Sequence, residues 1–119
     1  MEAGATHPPA VPYIGAAELT NMLNSDDRLL LVEFCVPRGC FRCDEMRAQI
    51  DRLASDERIV VRRVDFNQHP ELTSRLGVSV CPSYVAFHQG QEQFRAAYPT
   101  SADLIVAKLA ESLSGADSP

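Results

Sequence analysis

Leu29-Leu30-Leu31-Val32-Glu33-Phe34 is apolar at both odd and even positions, with Glu33 as the one exception. A strand with a solvated face alternates; this run does not, so it needs cover on both sides and belongs inside a sheet. The pattern then changes. Cys43, Met46, Ile50 and Leu53 recur at steps of 3, 4 and 3, which is helical spacing. A buried strand leading into an amphipathic helix is how a parallel crossover unit begins.

The rest of the chain fits that start. Leu19, Met22 and Leu23 share one face of a short helix over 16–24, which Ser25-Asp26-Asp27 breaks. The first strand reads as 29–36 and a second as 59–66. Pro70 suits the first turn of a helix that Gly77 ends. Residues 83–88 and 91–97 form a hairpin around Gln89-Gly90. Thr100 caps a last helix over 102–113, with Ile105, Leu109 and Leu113 as its stripe. The expected architecture is α/β: a three-layer sandwich with a central mixed sheet flanked by helices. One domain is expected over 13–114. Pro8, Pro9 and Pro12 lie in a stretch without apolar periodicity, so residues 1–12 read as a flexible tail, and 115–119 as another.

Composition narrows the function. The 119 residues carry a net charge of −5, so a basic nucleic-acid footprint is not expected. No apolar run reaches membrane-spanning length, and Met1 to Gly15 lacks the pattern of a secretory signal. A reducing cytoplasm is the expected setting. Four cysteines in such a setting point to redox or metal chemistry before structural bridges.

Cys40-Phe41-Arg42-Cys43 sits where the buried strand gives way to the helix. Free N–H groups and the helix dipole stabilise a thiolate there, and the thiolate is the nucleophile. Cys43 continues the buried stripe, while Cys40 lies at the exposed cap. Cys40 is the expected attacking thiol and Cys43 the resolving one. The charge of Arg42 is expected to lower the pKa of Cys40. Glu33, a carboxylate in a buried strand, needs a partner or a proton, and a proton held there could serve Cys43.

These residues resemble the thioredoxin family over about 13–113. The likeness rests on Leu31-Val32-Glu33-Phe34, Asp65-Phe66-Asn67-Gln68-His69-Pro70, Gly77-Val78-Ser79-Val80-Cys81-Pro82-Ser83 and the Gly90 hairpin. It implies a thioredoxin fold and dithiol–disulfide exchange with protein disulfides, using a redox-active Cys40–Cys43 disulfide and no other cofactor. A reductase or small thiol would supply electrons. It also implies that Pro82 is a cis-proline beside the cysteine pair, that Glu33 is the buried carboxylate, and that Arg63 stands where a basic residue is often found. Gly39, Phe41, Arg42 and Cys81 would contact substrate. The chain is expected to act as a monomer, with homodimerisation left open because nothing marks a symmetric apolar face. It departs from the family's Trp-Cys-Gly-Pro-Cys pattern and contains no tryptophan.

The fold so implied brings Cys35 and Cys81 to the same edge. They could be small buried hydrophobes or a second redox pair. The spacing C-x4-C-x2-C with a distant fourth cysteine also matches a plant-type [2Fe–2S] or zinc ligand set, although its surroundings do not match a ferredoxin. A non-catalytic interaction module is the remaining alternative.

Overall fold

The computed structural model describes residues 11–116, with side chains over 11–114. Helices and strands alternate as α1 (Ala16–Ser25), β1 (Leu29–Cys35), α2 (Phe41–Leu53), β2 (Ile59–Asp65), α3 (Pro70–Leu76), β3 (Ser83–His88), β4 (Gln91–Ala97) and α4 (Ala102–Ala116). The sheet order is β2-β1-β3-β4. β1 runs parallel to β2 and antiparallel to β3, and β3 and β4 form an antiparallel hairpin. Every residue of β1 is buried, as its unbroken apolar run requires.

Strand parity sorts the core into two layers. Leu29 and Leu31 face Met46 and Ile50 of α2 and Ile105 and Leu109 of α4. Leu30, Val32 and Phe34 face Leu19 of α1 and Leu72 of α3. Glu33 shares the parity of Leu31, so it points into the α2/α4 layer. α3 ends on Gly77 at φ +69°, a left-handed position where a Cβ is unfavourable.

Two boundaries differ from the expected ones. Residues 1–10 and 117–119 lie outside the described part of the chain. Val11 and Pro12 do not behave as a tail. Val11 is buried in the α2/α4 layer, the Pro12 carbonyl accepts the Arg63 N–H at 2.9 Å, and the Ile14 N–H donates to the Arg63 carbonyl at 2.8 Å. The segment thus closes the outer edge of β2 through a parallel bridge from Tyr13 to Arg63. At the other end, α4 continues through Gly115 to Ala116, three residues past Leu113.

Candidate active site

The C-terminal end of β1 delivers the chain into a loop, and α2 begins beyond it. Gly39 takes φ +84° in that loop. Cys40 is the N-cap of α2: its backbone is extended, and its sulfur accepts the Cys43 N–H at 3.3 Å. A sulfur therefore does what a serine or aspartate oxygen does at other helix starts, satisfying an otherwise unpaired donor. One helical turn on, Cys43 is fully buried.

Cys81 enters from the opposite side, just before β3. Its peptide bond to Pro82 is cis. Its sulfur lies 3.2 Å from Cys43 Sγ and 3.9 Å from Cys40 Sγ. All three sulfurs fall within 4.8 Å of one another.

The three thiols differ in acidity. Partial burial works against ionisation of Cys40, but the side chain and N–H of Cys43, the Cys81 thiol and the Arg42 backbone N–H outweigh it, leaving Cys40 below its ordinary value. Burial drives Cys43 far above its ordinary value, with the facing Cys40 and Cys81 thiols adding to the rise. Burial and the neighbouring Cys40 push Cys81 up to about 11. Arg42 acts on Cys40 through its backbone, while its guanidinium stacks 4.1 Å from the centre of the Tyr98 ring. Alkylation of Cys40 by iodoacetamide is expected to be half-maximal below pH 9, rising with pH as the thiolate forms. Mass mapping of the alkylated peptides checks this; a midpoint at or above 9 contradicts it.

Glu33 lies beneath this cluster with no exposed surface. One oxygen pairs with Arg63 Nε, and the other accepts the Tyr84 hydroxyl at 2.6 Å. Arg63 also reaches Asp51 of α2 at 2.8 Å. Arg63 is therefore a core residue, buried to 3% exposure.

Cys40 and Cys81 open onto a groove of about 640 Å³ with Gly39, Phe41, Arg42 and Tyr98 on its walls. Phe41 stands 76% exposed at its rim.

The thioredoxin family model matches residues 10–111. The chain belongs to the thioredoxin family. Protein disulfide isomerase-like 2-2 of Oryza sativa subsp. japonica is 28% identical over 92 residues, which is 74% of this chain and 24% of that protein. The chain thus spans about a quarter of that relative's length. A thioredoxin variant from Halobacterium salinarum NRC-1 has the same fold at TM-score 0.75, with 25% identity over 90% of this chain and 94% of that one. The thioredoxin of Trypanosoma brucei brucei gives TM-score 0.77 over 96% and 99% of the two chains, at 17% identity. Membership of this family supports a thiol-redox role in the broad sense.

Within this thioredoxin fold the four cysteines do not form one set. Among the described residues, the sulfur group consists of Cys40, Cys43 and Cys81. Cys35 is buried and turns toward the Tyr13 hydroxyl at 3.8 Å and the Val36 carbonyl at 3.6 Å. The tight sulfur group is thus three cysteines rather than the four that the spacing suggested, with the Cys35 thiol beside Cys43. Burial and the charge of Glu33 raise the pKa of Cys35.

Three site residues escaped the sequence. Tyr98 walls the groove and holds Arg42, but it follows β4 with no motif around it. Tyr84 and Asp51 complete the Glu33 network, and only strand parity and helix phase could have pointed to them. Phe41 and Tyr98 provide aromatic surface in a chain without tryptophan.

Proposed function

We propose that the protein is a thiol–disulfide oxidoreductase acting on protein disulfides. The observation that carries this reading is the asymmetry of the pair: an accessible, acidified Cys40 at a helix cap, with a buried, protonated Cys43 one turn behind. The Cys40 thiolate attacks a substrate disulfide, forming a mixed disulfide and releasing one substrate thiolate. Cys43 loses its proton and attacks Cys40 Sγ, forming the Cys40–Cys43 disulfide and releasing the second substrate thiolate. The substrate gains two electrons and the cysteine pair gives them up. A reductase or small thiol resets the pair, and no bound cofactor takes part. A reducing compartment such as the cytoplasm suits this direction.

Gly39, Phe41, Arg42 and Cys81 receive the substrate segment, and Pro82 shapes the wall behind it. Glu33 serves the proton of the resolving step. Its two oxygens are held in place by Arg63 and by the Tyr84 hydroxyl.

Reduction of a disulfide-bonded protein, followed with a thiol-regenerating system, tests the proposal. Cys40→Ser is expected to remove turnover; activity retained in that variant would refute the assignment. Glu33→Gln is expected to leave Cys40 alkylation intact while slowing product release, most strongly at low pH where Cys43 most needs a proton acceptor. Unchanged release at every pH would remove Glu33 from the mechanism.

A further inference from the structure

The two-thiol exchange reaction accounts for two of the three clustered sulfurs. Exchange needs Cys40 and Cys43. Cys81 brings a third sulfur to 3.2 and 3.9 Å from those two, and all three mutual distances stay within 4.8 Å. Zn–S bonds of about 2.3 Å in tetrahedral geometry place neighbouring sulfurs about 3.8 Å apart. The two Cys81 contacts, at 3.2 and 3.9 Å, bracket that spacing.

We propose that reduced Cys40, Cys43 and Cys81 form a three-thiolate site for a soft, zinc-class d10 cation. The donor set is all sulfur, which selects such cations over magnesium or calcium. Cys43 closes the site from the buried side, while Cys40 and Cys81 face the groove. The fourth coordination position therefore opens toward the groove, where water or a partner's thiolate can enter. Three thiolates and a divalent cation leave one net negative charge. It falls at the N-terminus of the 13-residue helix α2, whose Cys43 N–H already points at Cys40 Sγ. Cys35 stands outside, which separates this site from a four-sulfur zinc or [2Fe–2S] centre.

Binding displaces the protons of the thiols. A thiol must lose its proton to ligate, so loading releases protons and binding tightens as pH rises. A loaded site cannot attack a disulfide, because the Cys40 lone pair is on the metal. The cation would thus hold the protein inactive but protected from oxidation until a chelator or a stronger thiol ligand removes it.

The test is an anaerobic titration of the fully reduced chain with Zn(II) against a chromophoric chelator. One zinc per chain is expected. Cys81→Ser should weaken binding on the order of tenfold or more, with Cys35→Ser close to the unmodified chain. Cd(II) titration counts the sulfurs independently: thiolate-to-metal absorbance should fall by about one third in Cys81→Ser, relative to three thiolates in the unmodified chain. Unchanged affinity in Cys81→Ser reduces the site to a Cys40/Cys43 chelate and overturns the proposal. Equal weakening by Cys35→Ser, or no zinc retained by the unmodified chain, overturns it as well. Cys81→Ala provides a second variant should the serine disturb the packing. Disulfide reduction assayed in chelator-treated buffer reports on exchange alone, so failure of the metal site and failure of the redox assignment give different results.

Discussion

Cys43→Ser combined with Cys81→Ser is expected to hold a substrate protein on Cys40 as a mixed disulfide that does not release. The first attack needs only Cys40, whose acidity and exposure survive these changes in part, since the Cys43 backbone N–H still caps it. Release needs a second thiol within reach of Cys40 Sγ. Cys43 is one, and Cys81 at 3.9 Å is another. Cys43→Ser alone is therefore expected to release slowly, leaving a Cys40–Cys81 disulfide, and the double variant to stop. Non-reducing gels with peptide mass mapping after one round of substrate give the answer. The expectation fails if the single variant traps as firmly as the double one, which would leave Cys81 without a resolving role. The proposed zinc site does not interfere, because the assay is run with chelator present.

Arg63→Met is expected to destabilise the fold by about 3–5 kcal/mol, the usual cost of removing one member of a buried ion pair. The loss falls on Glu33, which keeps only the Tyr84 hydroxyl and has no exposed surface through which water could replace the guanidinium. Asp51 loses its partner too, but at 25% side-chain exposure it can be rehydrated. For a domain of this size the midpoint of thermal unfolding would fall on the order of 10–20 °C. Tyr84→Phe provides the scale: it removes one donor and leaves the pair, so about 1–3 kcal/mol is expected. Replacing Glu33 and Arg63 together by leucine should cost less than Arg63→Met alone, because no charge is stranded. Urea unfolding of the three variants tests the order. An Arg63→Met loss below that of Tyr84→Phe would show that Glu33 finds another partner.

The apolar run at β1, the change of period at α2 and the turn residues at Gly77 and Gly90 were local signals, and the element order followed from them. The same chemistry marked Cys40 and Cys43, since a CxxC at a strand-to-helix joint is a local pattern. What local pattern could not supply was register. Arg62 and Arg63 are chemically alike; only the pairing of β1 with β2 sets Glu33 opposite Arg63 and turns Arg62 away. Val11 and Pro12 looked like tail because prolines surround them, yet Pro12 needs only its carbonyl to join the edge of β2, and that group every residue has. Cys35 and Cys81 were placed on one sheet edge, as small hydrophobes or as a second redox pair; that Cys81, and not Cys35, completes a tight group with Cys40 and Cys43 depends on three-dimensional packing that composition does not carry.

The second bond of Arg63 has a mechanical meaning. It joins the sheet to Asp51 of α2, about 16 Å along the helix from the cap at Cys40, counting eleven residues at the usual rise. A helix pinned at that distance by a buried charge resists sliding along its axis when the groove fills. The spacing between Cys40 on the helix and Cys81 on the opposite loop is then gauged from within the core, by a contact no substrate touches. Lengthening that strut with Asp51→Glu, or removing its charge with Asp51→Asn, is expected to retune the gap between the sulfurs without altering a single residue around them.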